Sequence, residues 1–144
     1  MSTEPLEQRL VDRDIRPTRQ RLAVLRELSK EPNDATASTL WRRMRARKNE
    51  TIGLATVYRT LALLNERGVV DSLSHHAHER CYRLCMEAHH HHLVCERCHR
   101  VVELEDCDLG TWVDEVARRH GFAASEHEVE IAGLCAECGH ARPT

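Results

Sequence analysis

His89-His90-His91-His92-Leu93-Val94-Cys95-Glu96-Arg97-Cys98 packs four imidazoles, an apolar pair and a Cys-x-x-Cys into ten residues. Imidazole and thiolate are the protein ligands that borderline and soft metals prefer. Leu93-Val94, with Val101-Val102 beyond the turn, reads as strand, and alternate side chains of a strand point to opposite faces. His89 and His91 then look one way, and His90 and His92 the other. One strand thus offers two ligands to each of two metal sites, while Cys95 and Cys98 at its end begin a third. A solvated polyhistidine loop or a leftover affinity tag is the competing reading. A run inside the chain, directly before Val-Cys-x-x-Cys, argues against both.

A second knuckle, Cys135-x-x-Cys138, completes four thiolates, the donor set of a closed structural zinc. The 36 residues between the pairs exceed the spacing of a simple ribbon. The metal should therefore clamp the two ends of a strand-helix-strand unit. A redox Cys-x-x-Cys is the bland alternative, weakened by two copies in so short a stretch. No apolar run approaches the ~18 residues of a membrane span, and Met-Ser-Thr-Glu-Pro-Leu-Glu does not read as a signal peptide. The expectation is a cytoplasmic protein with no membrane partner, whose seven cysteines stay reduced and favour zinc over disulfides.

The net charge of -2 hides an asymmetry. Residues 1–74 carry 14 Lys and Arg against 10 Asp and Glu, and residues 75–144 carry 7 against 13. Every histidine and cysteine lies in the second half. A basic half without soft ligands followed by an acidic half rich in them suggests a nucleic-acid reader joined to a metal module.

Along the first half, four helices are expected. Leu6–Asp14 places Leu6, Leu10 and Val11 on one face, and Pro17 interrupts. Thr18 is a credible N-cap for a helix through Leu22, Val24, Leu25 and Leu28. A third helix from Ala35 or Thr36 turns Leu40, Trp41 and Met44 inward and its arginines and Lys48 outward, ending at Asn49–Gly53. A fourth, Leu54–Arg67, has an apolar stripe at Leu54, Val57, Leu61 and Leu64, and stops at Gly68. Val69–Leu73 and Arg80–Leu84 read as a hairpin around a polar tip. Helices followed by a hairpin are the order of a winged helix-turn-helix, which places the last helix in the major groove of double-stranded DNA. Thr56, Tyr58, Arg59 and Thr60 are expected on its outer face, where Arg reads guanine edges and Tyr packs on thymine methyls or phosphate. A helical domain with a solvated basic face is the bland alternative.

In the second half Val101–Leu104 and Val129–Ala132 are further strands, and Leu109–His120 is a helix turning Trp112, Val113 and Val116 inward. Such a small sheet leaves an apolar face uncovered, which a second copy of the chain could bury, giving a homodimer. The fold class is α+β: a winged-helix domain at 1–84, a hinge at 85–88, and a small α/β metal-binding dimerisation domain at 89–144. Cys85, on the hinge, can join one histidine pair, and Asp71 on the wing can add a carboxylate. A site of Asp71, Cys85, His90 and His92 would draw on both halves, so metal would lock their orientation, the layout of a switch. On the opposite face His127 could complete His89 and His91.

Arg16-Pro17-Thr18-Arg19-Gln20-Arg21, Leu54-Ala55-Thr56-Val57-Tyr58-Arg59-Thr60-Leu61, the His89–Cys98 run, Glu103, His120-Gly121-Phe122 and Gly133-Leu134-Cys135-Ala136-Glu137-Cys138 together resemble the ferric uptake regulator family, most closely its zinc uptake regulators of actinobacterial type. The resemblance covers nearly the whole chain. It implies a winged helix, a C-terminal dimerisation domain, and metal-dependent repression at AT-rich palindromic operators. Carried over by position, Tyr58 and Arg59 fall on the DNA-contacting part of the recognition helix, and Arg16 on a basic residue that approaches DNA from the N-terminal region. Zinc sensors of the family look alike in having cysteine beside the hinge histidines, so Cys85 favours zinc. Asn33-Asp34, where iron sensors often carry histidine, points the same way. The family's third site usually takes a Glu where this chain has Gly110. His89, His91 and His127 then need another ligand from Glu105, Asp106, Cys107 and Asp108, with Glu105 the candidate, or from water. Cys81 and Cys107 read as packing or spare thiols.

The reading is thus a zinc-responsive repressor of zinc uptake and homeostasis genes, with two or three Zn2+ per chain and no organic cofactor; an iron- or peroxide-responsive regulator of the same family is the alternative. A zinc hydrolase is opposed by the absence of His-Glu-x-x-His and of a Glu placed as general base. A metal store would not need Thr56-Val57-Tyr58-Arg59 on a helix.

Overall fold

The computed structural model describes residues 5–47, 51–74, 79–85 and 88–140. The chain divides into two compact units, residues 1–85 and 86–144. The turn expected at Asn49-Glu50, the tip of the wing at 75–78 and hinge positions 86–87 lie outside the described residues.

In the first unit, α1 (Leu6–Val11) leads into α2 (Arg19–Ser29). Thr18 caps α2, its hydroxyl accepting from the Arg21 amide at 3.3 Å, which satisfies one of the otherwise orphaned first-turn N–H groups. β1 (Ala35–Thr36) runs straight into α3 (Ala37–Arg45), because the Thr36 side chain turns back to accept from the Thr39 amide at 3.2 Å. α4 (Leu54–Glu66) follows. It ends in a Schellman motif: Gly68 takes φ +73, the Val69 amide reaches Leu64 O at 2.8 Å, and the Gly68 amide reaches Asn65 O at 3.1 Å. A Cβ at Gly68 would also meet Arg13 Nη1 at 2.9 Å. β2 (Val70–Leu73) and β3 (Cys81–Leu84) form the wing, and β3 lies between β1 and β2 in an antiparallel sheet.

The helices bury Leu25, Leu28, Leu40, Met44, Leu61 and Leu64 against one another. The Trp41 indole N–H donates to Ile52 O at 3.0 Å, which ties the backbone just ahead of α4 to α3. Three details depart from expectation. α1 stops at Val11, which is exposed. β1 is too short to carry a period-two signal. Thr60 is buried, because it falls three residues after Val57 and four before Leu64 on the inward stripe.

The second unit is a three-stranded sheet with β4 (His91–Cys95) at its centre. β5 (Val101–Leu104) pairs with it antiparallel, α5 (Gly110–Arg119) follows, and β6 (Glu130–Gly133) pairs with β4 in parallel. α6 (Ala136–His140) closes the unit. Its apolar burial is slight. Among the described residues, every buried apolar side chain except Val94 and Cys95 belongs to the first unit. Trp112, expected inward, is 61% exposed, and Leu93, Ile131 and Leu134 are exposed as well. α5 has no fully buried residue; Val113 and Val116 on its apolar side are half-buried.

Candidate metal centres and nucleic-acid face

The knuckle after β4 is made by backbone hydrogen bonds. The Cys95 amide donates to Arg100 O at 2.9 Å and the His99 amide to Cys95 O at 3.0 Å, with His99 at φ +63. The Glu96 amide donates to Gly133 O at 2.8 Å, so the end of β6 lies against the knuckle and Cys135 follows two residues on. One ligand atom from each of Cys95, Cys98, Cys135 and Cys138 lies within 4.8 Å of the others, and Cys98 Sγ to Cys135 Sγ is 3.7 Å. Four thiolates at ~2.3 Å from a tetrahedral zinc would stand about 3.8 Å apart, so the cluster fits that ion.

The charges point the same way. The Cys135 amide, 3.4 Å from Cys95 Sγ, leads the backbone donors that bring the Cys95 thiol down to about 6. Burial, then the thiols of Cys135 and Cys98, pushes Cys138 up to about 12. One thiolate forms readily and further ones are opposed, a conflict that a divalent cation removes.

The histidines divide along β4. His90 and His92 rings are 4.8 Å apart, and ligand atoms of His90, His92 and Glu103 lie within 4.8 Å of one another. His90 Nδ1 is 2.7 Å from Ala88 O. A ring that donates there carries its proton on Nδ1 and presents the Nε2 lone pair, the usual state of a metal-binding imidazole. Glu103 was not among the expected ligands. Its signal was the hairpin register, which sets it directly across from His92. Asp71 lies on β2 opposite Arg83, and the Cys85 amide donates to Val69 O at 3.1 Å, both in the first unit.

On the other face His89 and His91 are 4.6 Å apart and His127 is 4.6 Å from His89. The fourth member of this cluster is Cys107, where Glu105 was expected. Its sulfur lies 3.2 Å from His91 Nε2 and 3.1 Å from His127 Nε2. Glu105 and Cys107 both sit between β5 and α5, where no ladder imposes an alternation from which the inward residue could be read. Burial first, then the neighbouring His89 and His127, hold His91 below its ordinary pKa. The Val129 amide donates to His91 Nδ1 at 3.1 Å. In the neutral ring the proton is then on Nε2, so a cation at Nε2 must send that proton to Nδ1 and end the Val129 contact.

On α4, Tyr58 and Arg59 are exposed, and Arg59 Nη2 is 3.3 Å from Thr56 Oγ1. Thr18, Gln20, Arg21, Thr56 and Arg59 line a groove of about 400 Å3 between α2 and α4. Arg16 is exposed, and its carbonyl accepts from Arg21 Nη1 at 2.9 Å. Glu79, a residue the sequence did not single out, reaches this face: the Tyr58 hydroxyl donates to its Oε1 at 3.3 Å and the Ser38 hydroxyl at 3.0 Å. Desolvation, then Glu79, raises the Tyr58 pKa. No helix among the described residues is long and apolar enough to cross a membrane.

A model of the ferric uptake regulator family matches residues 12–132. The zinc uptake regulation protein of Mycobacterium tuberculosis is 43% identical over 124 residues, 86% of this chain and 95% of that protein. The ferric uptake regulation protein of Escherichia coli K12 is 33% identical over 125 residues, 85% of this chain and 83% of that protein. Among solved structures, a zinc uptake regulator complexed with zinc and DNA is similar with a TM-score of 0.75 at 29% identity, over 93% of this chain and 90% of that one.

Proposed function

The chain belongs to the ferric uptake regulator family, and we propose that it is a zinc-responsive DNA-binding repressor of zinc uptake and homeostasis genes, with zinc as corepressor. The observation that carries the reading is the division of the histidine strand, with ligand atoms of His90, His92 and Glu103 within 4.8 Å of one another. The 43% identity to a zinc uptake regulation protein supports it. In this reading Cys95, Cys98, Cys135 and Cys138 hold a structural zinc, and Asp71 and Cys85 join His90 and His92 in the regulatory site. Metal there fixes the DNA-reading half against the other half. Arg16, Thr56, Tyr58 and Arg59 contact double-stranded DNA at an AT-rich palindromic operator. The protein acts in the cytoplasm as a homodimer, in which the exposed Leu93, Val102 and Ile131 are covered by a second copy. It carries out no catalysis and takes no organic cofactor.

Iron is the second reading, favoured by one observation: His90, His92 and Glu103 are nitrogen and oxygen donors, which ferrous iron accepts. Cys85 separates the two. Cys85→Ser should keep the structural zinc but weaken zinc-dependent operator binding at buffered free zinc. Undiminished binding by the variant defeats the proposed regulatory site.

A further inference from the structure

We propose that His89, His91, His127 and Cys107 form a metal site whose fourth donor is a thiolate rather than a carboxylate, so that it takes zinc or another thiophilic divalent cation in preference to ferrous iron. The proposal deepens the metal-responsive reading and rests on it. The four donors come from three separate stretches: the start of β4, the connection between β5 and α5, and the segment before β6. Nothing local to any one of these brings them together. Their ligand atoms nevertheless lie within 4.8 Å of one another, with Cys107 Sγ between two Nε2 atoms at 3.1 and 3.2 Å.

A packed thiol hydrogen-bonded to imidazoles is the plain alternative. It accounts for Cys107 with one or two rings. It gives no reason for a third ring, His89, 4.6 Å from both His91 and His127. Zinc at ~2.0–2.1 Å from nitrogen and ~2.3 Å from sulfur sets N to S at about 3.6 Å in a tetrahedron. A few tenths of an ångström of opening therefore admit the ion. The thiolate also sets the preference, because sulfur ligands select zinc over iron among divalent ions.

The test uses cobalt(II) as probe on the full chain with its structural zinc retained, in a Cys85→Ser background so that Cys107 is the thiol under examination. Cobalt should bind with a thiolate-to-metal charge-transfer absorption, and the Val129 amide resonance should shift as its bond to His91 is lost. Adding Cys107→Ser should abolish the absorption and weaken cobalt binding by more than the roughly 10–100-fold typical of outer-shell partners. Adding Cys107→Asp instead should restore cobalt binding without the absorption. Zinc content of the four-cysteine site serves as the folding control. An absorption that survives Cys107→Ser, or cobalt affinity that the substitution leaves unchanged, overturns the proposal. Failure of the regulator reading would show separately, as DNA binding indifferent to zinc while the cobalt results stand.

Discussion

Replacing Cys95 with Ser should unfold the second unit and leave the first intact. The second unit has little else to hold it: its buried apolar side chains among the described residues are Val94 and Cys95, each contributing about 1.5–3 kcal/mol at most by the scale for aliphatic side chains. Structural zinc contributes ~10–16 kcal/mol in apparent terms. Shared evenly over four thiolates, the loss of one costs about 2.5–4 kcal/mol, or roughly 10²- to 10³-fold in metal affinity. Cys95 is the most damaging of the four to lose, since it also ends β4 and its sulfur takes the Cys135 amide. The assay is hydrogen exchange resolved by unit. The His92 and Glu96 amides, which tie β4 to the β6 side, should lose protection, while amides of α2 and α4 should keep theirs. A Cys95→Ser chain with full metal content and wild-type protection in β4 would refute the reasoning.

Arg59→Ala should cost about 1–3 kcal/mol of specific DNA binding; an equal loss on random duplex, read by fluorescence anisotropy, would demote Arg59 to a phosphate contact. Glu79→Gln removes a negative charge from the face that carries Tyr58 and Arg59, so it should strengthen duplex binding several-fold, most at low salt. Weaker binding would mean that the carboxylate positions Tyr58 instead.

The fold was legible where one physical signal dominated. Thr18 as a cap, Gly68 as a stop and the stripe Val57, Leu61, Leu64 each follow from local chemistry, and the helices form where those residues place them. The parity of the histidine run was legible because the strand period is two, and the ring pairs His89 with His91 and His90 with His92 keep it even ahead of the ladder. Residues that reach a site through tertiary placement were harder. Cys107 lies on an irregular connection, and Glu79 acts from beside the wing tip, so neither carries a periodic signal. Glu103 does carry a signal, because the antiparallel β4–β5 register sets it opposite His92. Trp112 misleads for a different reason: an apolar helix face predicts burial, but not whether the covering surface belongs to the same chain.

The most direct test of the regulator reading is operator binding by the wild-type chain, titrated against buffered free zinc and separately against ferrous iron under anaerobic conditions. Tight, specific binding should appear as free zinc rises, with iron ineffective at comparable free concentration. Binding independent of zinc, or driven equally by iron, would contradict it.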